Sequence, residues 1–267
     1  MNILVCVKQV PDTMEIKIDP VTNTLIRDGV PSIVNPFDSY ALELAARIKD
    51  ETGGKITVVC MGPKQAEAAL KECLAVGGDK AYLVTDRAFG GSDTLATSYI
   101  LSCTVQYLEE LSGEKFDIIF CGKQAIDGDT GQVGSEMAEH IGLPQITCIQ
   151  DIKVEGDKIV VRQEMDEGYN VLETKLPAVV SVTKTPYEPR YPTVKAKLAA
   201  NRAQITHITT AELTNLTVER TGLKGSPTKV KKTFTPQRKG GGTIIQEDAP
   251  ADSAVKLVAL MSGAALI

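Results

Sequence analysis

The chain has 267 residues, of which 43% are hydrophobic and 24% are charged, an ordinary composition for a globular protein. Its net charge of -5 gives no basic field for nucleic acid, so we expect no nucleic-acid partner. No apolar run approaches the roughly 20 residues of a membrane-spanning helix, and the opening residues MNILV lack the charged start of a leader. We therefore expect a cytoplasmic chain with no membrane partner.

The six cysteines are spread along the chain, with no C-x-x-C pair and no histidine beside any of them. Closely spaced cysteines are what a zinc site or a disulfide framework requires, so the pattern predicts reduced thiols and no metal site. Neither His140 nor His207 has neighbours typical of a catalytic triad, and His140 falls in the last turn of a predicted helix, where a cation suits the helix dipole. We expect no catalytic nucleophile.

Residues 1–145 alternate short apolar runs with longer helical patterns, which is typical of a parallel sheet covered by helices on both faces. Continuous apolar runs of this length are typical of strands buried on both faces. The predicted strands are Ile3–Val7, Ile56–Cys60, Ala81–Val84 and Ile118–Cys121. The predicted helices run from Pro36 to about Lys49, from Pro63 to Gly77, from Asp93 to about Leu111, and from Gly131 to Gly142. Alternation within Met14–Ile33 suggests a hairpin between the first strand and the first helix.

The pattern changes after Leu143, where β-rich runs are separated by short polar turns. We interpret the runs Ile152–Val154, Lys158–Met165, Asn170–Leu176 and Ala178–Thr183 as an antiparallel addition to the sheet. From Thr185 prolines interrupt a chain with little core periodicity, which ends in a short helix near Asp252–Met261. We therefore divide the chain into an α/β domain over 1–184 and an arm over 185–267 that packs on another subunit, because only packing offsets the entropy of ordering it.

Ligands of open parallel sheets bind at the carboxyl ends of the strands. The clearest signal there is the segment Gly122–Gly134, a polar glycine-rich turn between an apolar strand and an amphipathic helix. Backbone N–H groups at a helix start can hold phosphate, although a plain loop with a capped helix fits the residues as well. The segment matches neither the P-loop pattern G-x-x-x-x-G-K-[ST] nor the dinucleotide pattern G-x-G-x-x-G.

Other residues at this edge support both a structural and a binding interpretation. Asn35, Pro36 and Asp38 are placed to start a helix, with Asn35 as its N-cap. The stretch Asp86–Thr94 is a second glycine-rich turn before a helix, so two phosphate-bearing ligands could lie side by side. Three cysteines at strand ends could admit a planar ligand or could simply pack in the core. They are Cys6, Cys60 and Cys121.

Six motifs in order, CVKQVPDT, NPFDSYALELA, VVCMGP, GKQAIDGDTGQVG, LPAVVSV and YEPRYPTVKAK, resemble the beta (small) subunit of electron transfer flavoproteins over most of the chain. The resemblance implies an adenine nucleotide alpha hydrolase-like fold that binds AMP in ordinary members, and FAD in members that bifurcate electrons. The glycine-rich loop is shorter here than in the AMP-binding mitochondrial type. The resemblance places the nucleotide contacts at Cys6, Asn35, Pro36, Phe37, Asp38, Cys60, Asp127, Gly128, Asp129, Thr130, Gly131, Gln132 and Val133.

The stretch DRAFGGSDTLATSY is similar to the equivalent stretch of bifurcating members. The resemblance then implies that NADH gives a hydride to the FAD of this subunit. One electron passes through the alpha-subunit FAD to a flavin dehydrogenase of acyl-CoA or lactate dehydrogenase type, and the other reduces ferredoxin or flavodoxin. We expect NADH to lie against Phe89, Gly91, Ser92, Asp93 and Thr94.

Two alternatives stay open. The first is a non-bifurcating beta subunit with structural AMP, which passes electrons between a dehydrogenase and a quinone reductase. The second is an adenine-nucleotide hydrolase or stress-protein-like domain of similar architecture.

The resemblance also assigns partner-binding residues. Glu164 corresponds to a carboxylate near the alpha-subunit flavin, although an exposed strand glutamate is equally consistent with the residues. The stretch Tyr187–Leu198 corresponds to the family's recognition loop for its dehydrogenase, with Val194 where ordinary members have an anchoring leucine. Stiff prolines, apolar anchors and basic residues fit docking. The candidate contacts are Tyr187, Arg190, Val194, Lys195 and Leu198.

Overall fold

The computed structural model describes residues 1–12, 31–231 and 240–267. They fall into two compact units, of which the first holds 1–12 and 31–231 and the second holds 240–267. The hairpin predicted over Met14–Ile33 lies almost wholly outside the described residues. At its end, β3 (Ser32–Val34) pairs antiparallel with β2 (Gln9–Pro11) in a small separate sheet.

A nine-stranded sheet forms the centre of the first unit, and its antiparallel pairing is confined to one end of the sheet. The strands are β1 (Asn2–Val7), β4 (Lys55–Met61), β5 (Lys80–Val84), β6 (Ile118–Gly122), β7 (Gln145–Glu155), β8 (Lys158–Met165), β9 (Gly168–Lys175), β10 (Ala178–Val182) and β11 (Thr206–Ile208). Their order is β11-β5-β4-β1-β6-β10-β7-β8-β9. Pairing is parallel as far as β7 and antiparallel from β7 to β9. The open doubly wound α/β fold with an antiparallel extension is therefore confirmed.

Helices cover both faces of this sheet, as strands buried on both sides require. They are α1 (Pro36–Thr52), α2 (Glu67–Ala75, after a 3₁₀ turn), α3 (Thr94–Ser112), α4 (Val133–Ile141), α5 (Val194–Arg202) and α6 (Gly222–Gly225). On β1, Ile3, Val5 and Val7 face α1 and α2, whereas Leu4 and Cys6 face α3 and α4. This alternation gives the sheet one core on each side.

The prediction for Ala178–Thr183 was wrong in direction and place. β10 is a parallel strand in the middle of the sheet, between β6 and β7, and all five of its residues are buried. A strand with this pattern needs covered faces on both sides, so the antiparallel edge is the wrong environment for it. β7 is also longer than predicted, because its first part pairs with β10 and its second with β8.

The segment after residue 184 has more core of its own than its proline content indicated. Helix α5 packs on α2, β11 extends the parallel sheet beside β5, and Leu213 is buried. Residues 185–231 therefore lie in the same compact unit as the α/β domain. In the second unit, α7 (Pro250–Gly263) begins and ends two residues outside the predicted helix and exposes its apolar side chains.

Candidate functional site

The strand order reverses at β1, because β4 and β5 lie on one side of it and β6 lies on the other. Loops that leave the carboxyl ends of β1 and β6 therefore flank a crevice, which is where doubly wound sheets bind ligands. The Nζ atom of Lys8, which follows β1, lies 2.6 Å from Oδ1 of Asp127 in the loop after β6. This ion pair joins the two loops across the crevice.

Asp38 fixes the floor of the crevice from the first turn of α1. Its buried carboxylate accepts hydrogen bonds from Lys8 N at 2.6 Å and from Asn35 Nδ2 at 2.9 Å. Burial raises the pKa of Asp38 to about 7, against the opposing effect of hydrogen bonds from Asn35, Lys8 and Gly122. A side chain at Gly122 would overlap Asp38 Oδ1, so only glycine fits there. Asp38 therefore ties the ends of β1 and β6 together.

Asn35 precedes α1 as predicted, but its side chain makes no capping bond. Its Nδ2 instead donates to Gln124 O at 2.8 Å, and its Oδ1 accepts from Ile126 N at 3.2 Å. Asn35 therefore holds the loop after β6 in place. Pro36 occupies the first position of α1 and is exposed, while Phe37 is half-buried beside Gly122.

The loop after β6 presents its glycines to solvent. Residues 128–132 are exposed, and Asp129 and Gly131 have left-handed backbone with φ of 55° and 70°. The carboxylate of Asp129 accepts a hydrogen bond from Gln124. At the start of α4, the N-cap residue Gln132 makes no side-chain capping bond. The N–H groups of the first turn of α4 are therefore available to an anion.

The turn after β5 is occupied differently, because residues 217–228, here called the covering segment, bind it from the same chain. Asp93 caps α3 by accepting from Ala96 N at 3.0 Å, and its own N–H donates to Ser226 Oγ at 2.9 Å. Gly222 N donates to Ser92 Oγ at 3.0 Å. The carboxylate of Asp93 also accepts from the backbone and hydroxyl of Thr228.

All five residues predicted to contact NADH have contacts within the chain itself, including Gly91, whose carbonyl O accepts from Ser226 Oγ at 3.4 Å. Phe89 is buried in the core, and Ser92 and Asp93 bind the covering segment. Gly91 is exposed next to Leu223, and Thr94 donates to Glu136 Oε1 at 3.2 Å. Thr94 and Glu136 thus connect the starts of α3 and α4.

The three cysteines at the strand ends do not share one face. Cys6 and Cys121 lie on the α3 and α4 side, while Cys60 lies on the α1 and α2 side. A hydrogen bond with Cys6, and then burial, raise the pKa of Cys121 well above its usual range, and burial raises that of Cys60 to about 12. All three are buried. Cys60 and Cys121 are neutral thiols, and all three side chains pack beneath the crevice.

His140 is half-buried, and its Nε2 has no hydrogen-bond partner among the described residues. Burial, and then the charge of Arg220, lower its pKa, so the expected helix-end cation is wrong and the ring is neutral near pH 7. Across the described ranges, no group of three histidine, cysteine or acidic side chains could hold a metal ion, and no helix is long and apolar enough to cross a membrane.

The residues predicted to bind partners differ in their exposure and in their contacts within the chain. Glu164 accepts from Thr183 Oγ1 at 2.9 Å, and Tyr187 is half-buried. Val194 is 79% exposed and Leu198 54% exposed on α5, where Lys195 is exposed as well. Tyr191, which the sequence analysis did not single out, is 94% exposed. Arg190 is paired with Glu43 of α1.

Lys8, Gln124 and Glu136 were also missed by the sequence analysis. Lys8 could have been found, since it directly follows the first strand at the edge where ligands bind. Neither Gln124 nor Glu136 belongs to a pattern that predicts its contact. The covering segment carries no signal of its partner, because its contacts with the turn join residues more than 100 positions apart.

The fold and the crevice define a doubly wound α/β protein with a helix start suited to an anionic ligand. A model described as the electron transfer flavoprotein domain matches residues 22–213. The electron transfer flavoprotein subunit beta of Megasphaera elsdenii is 51% identical over 257 residues, 96% of this chain and 95% of its own. The chain therefore belongs to the electron transfer flavoprotein family, among its beta subunits.

Two further relatives carry different names. The caffeyl-CoA reductase-Etf complex subunit CarD of Acetobacterium woodii is 49% identical over 246 residues, which are 92% of each chain. Protein FixA of Azotobacter vinelandii is 43% identical over 255 residues, 94% of this chain and 90% of its own. The similarity extends over nearly the whole of each chain.

Proposed function

We propose that this chain is the beta subunit of a two-subunit electron transfer flavoprotein and binds FAD in the crevice between β1 and β6. The observation that carries the proposal is the start of α4, where the N-cap side chain leaves the backbone N–H groups unbonded beside an exposed glycine-rich loop. The pyrophosphate would lie against residues 128–133, held in register by Lys8 and Asn35.

The flavin would supply the redox chemistry, and this chain would supply binding, orientation and exclusion of water. Asp38 and Gly122 keep the ends of β1 and β6 at a fixed separation. The neutral thiol of Cys121 places no charge under the crevice. A rigid floor without a charged thiol suits a planar, uncharged ring system.

We further propose that NADH reduces this flavin and that the complex bifurcates electrons to ferredoxin or flavodoxin and, through the alpha-subunit FAD, to a flavin dehydrogenase. Support comes from the name of the Acetobacterium woodii relative, a subunit of a complex with a CoA-ester reductase. Thr94 and Glu136 offer a polar link between the two helix starts, where a hydride donor would meet the flavin. NADH would approach this turn at its exposed residues Gly90 and Gly91.

A second candidate is a non-bifurcating subunit that carries structural AMP in the same crevice. The occupied turn after β5 favours it, because all five expected NADH contacts are engaged within the chain itself. An AMP phosphate would use the same α4 start.

One measurement separates the candidates. The chain is purified with its alpha subunit, and flavin and AMP are quantified per heterodimer before anaerobic addition of NADH. Two flavins, with one bleached by NADH, support the main proposal. One flavin with one AMP and no bleaching supports the second candidate. A heterodimer with neither nucleotide in the beta subunit rejects both.

For docking, we propose that the dehydrogenase binds the exposed apolar side chains beyond residue 190. Tyr191, Val194 and Leu198 form what we call the docking surface, with Lys195 beside it. Exposed aromatic and aliphatic anchors on a proline-stiffened segment lose little entropy on binding. The basic side chain of Lys195 would steer an acidic partner.

A further inference from the structure

A charged pair fastens the segment that leads into the docking surface onto α1. Glu43 lies on the buried side of α1, with its side chain only 5% exposed. It accepts three hydrogen bonds from Arg190, from the backbone N at 3.1 Å, from Nε at 2.8 Å and from Nη2 at 3.1 Å. A planar guanidinium matches a carboxylate in this bidentate geometry, which an ammonium group does not reproduce.

Neighbouring contacts extend this attachment to both sides. Nη1 of Arg190 lies 3.0 Å from Oδ2 of Asp50, about two turns further along α1 than Glu43. The guanidinium of Arg47 lies 3.8 Å from the centre of the Tyr187 ring, and the Tyr187 hydroxyl is 3.4 Å from the carboxylate of Asp151 on β7. Both Arg190 and Tyr187 are therefore engaged inside the chain.

The position of α5 follows from this attachment. Only three residues separate Arg190 from Val194, where α5 begins, and Thr193 caps the helix by accepting from Ala196 N at 3.1 Å. At the other end, Lys71 Nζ of α2 donates to Asn201 O at 3.2 Å. The docking surface begins at the residue after Arg190, so a shift of Arg190 shifts the surface.

We propose that Arg190 and Glu43 form an internal clamp that positions the docking surface, and that Arg190 does not itself contact the dehydrogenase. At least three of its N–H groups are used within the chain, and its charge faces two carboxylates of α1. The proposal rests on the proposed docking role of Tyr191, Val194 and Leu198. It changes the role of Arg190 from a partner contact to a positioning residue.

The test is a double-mutant cycle with Arg190→Lys, Glu43→Gln and the double variant, each in complex with the alpha subunit. Electron exchange is measured with purified acyl-CoA dehydrogenase, or with lactate dehydrogenase where that is the enzyme with which the wild-type complex exchanges electrons. Its concentration is varied at low and at high salt. Glu51→Gln, the same substitution at an exposed site on α1, is the matched control.

Each single variant should raise the half-saturating dehydrogenase concentration about tenfold, because a surface that is no longer held must be ordered on binding. The rate at saturation should stay at the wild-type value, and the double variant should be no worse than either single one. Because the pair is mostly buried, the loss should persist at high salt. Arg190→Lys keeps the positive charge. If this variant docks weakly, the lost bidentate contact is the cause.

The clamp is rejected if Arg190→Lys behaves as wild type, if the two single effects multiply, or if the losses vanish at high salt as surface steering would. Thermal unfolding and flavin content are recorded for every variant. If Glu43→Gln does not fold, Arg190→Lys decides alone.

Val194→Asp, with Leu111→Asp as an exposed control, tests the docking surface itself. If Val194→Asp loses electron exchange while the clamp variants exchange electrons as the wild type does, only the clamp is rejected. If Val194→Asp itself exchanges electrons as the wild type does, the docking proposal is rejected.

Discussion

The loop after β6 and the turn after β5 carry similar residues and lead into helices at the same edge of the sheet, but they bind different things. The turn after β5 ends in Asp93, whose carboxylate caps α3 and also accepts from Thr228. The loop after β6 ends in Gln132, whose side chain makes no capping bond. Glycines before a helix therefore do not define an anion site by themselves. The side chain at the N-cap decides whether the helix start is open or closed.

The covering segment completes the difference between the two turns. Its residues Gly222 and Ser226 bind Ser92 and Asp93, so the turn after β5 is part of the folded core of the chain. In the described part of the chain, side chains of Lys8, Asn35 and Gln124 hold the loop after β6, and its glycines face solvent. A closed turn contributes stability, whereas an open loop is free to bind a ligand. Each prediction below separates these two contributions.

The largest expected effect is on the pH dependence of stability. The folded pKa of Asp38 is raised from 3.8 to about 7 by burial, so its contribution to stability is fully present below about pH 4 and is lost as the pH rises through about 7. At about 1.4 kcal/mol per pH unit, this amounts to about 4 kcal/mol. Asp86, in the other turn, has a pKa lowered by hydrogen bonds from Ala88 N and Thr210, so its contribution is lost as the pH falls below about 4.

Urea unfolding from pH 3 to 8 would measure the loss of stability on the acid side, below about pH 4, and the loss between about pH 4 and 7. In Asp38→Asn the free energy of unfolding should no longer decline between about pH 4 and 7, whatever constant loss the missing acceptor causes. In Asp86→Asn the decline above pH 4 should remain, and the decline below it should weaken. If the free energy of unfolding of Asp38→Asn still declines between about pH 4 and 7, another group titrates in that range.

The next effect is on folding stability, where one glycine of each turn is compared. In Gly122→Ala the new methyl group overlaps the carboxylate of Asp38 and the backbone beneath it, which should lower the free energy of unfolding by about 3 kcal/mol. In Gly91→Ala it meets the flexible end of Leu223, and the left-handed backbone costs about 1 kcal/mol. Denaturant unfolding checks the order, and an equal loss at both sites would contradict the fixed floor of the crevice.

Much of the fold could be predicted from the sequence, because short apolar runs and capped helical patterns are local signals. The four apolar runs predicted in residues 1–145 and the run Ala178–Thr183 all form strands. The place of β10 could not be predicted, since an apolar run shows that a strand is buried but not which strands lie beside it. The role of Asn35 was missed for a similar reason. Its residue type predicts a helix cap, while its actual partners, Gln124 and Ile126, lie about 90 positions away.

The candidate site was predicted in the same uneven way. Its location after β6 follows from chain order and glycine spacing, which are local. The closure of the turn after β5 depends on Gly222, Ser226 and Thr228, more than 100 positions further along the chain. Sequence patterns therefore identified two anion sites where the structure leaves one open.

The open loop should show its effect in cofactor content. The Cβ position of Gly128 has no atom within 4 Å, so Gly128→Leu adds bulk toward solvent without disturbing the fold. If the pyrophosphate lies there, flavin affinity should fall at least tenfold, about 1.4 kcal/mol, and purified heterodimer should lose one of two flavins. Gly128→Ala should be close to wild type, as the small control. Full flavin content in Gly128→Leu would place the ligand elsewhere.

The smallest expected effect compares the two N-caps directly. Asp93→Ala removes the bond to Ala96 N and both bonds to Thr228, so it should lower the free energy of unfolding by about 1–2 kcal/mol. Gln132→Ala removes no capping bond, and the same measurement should change by a few tenths of a kcal/mol at most. The measurement is thermal unfolding of nucleotide-free protein. A loss at Gln132 as large as that at Asp93 would mean that α4 is capped after all, and that its N–H groups are not free for a phosphate.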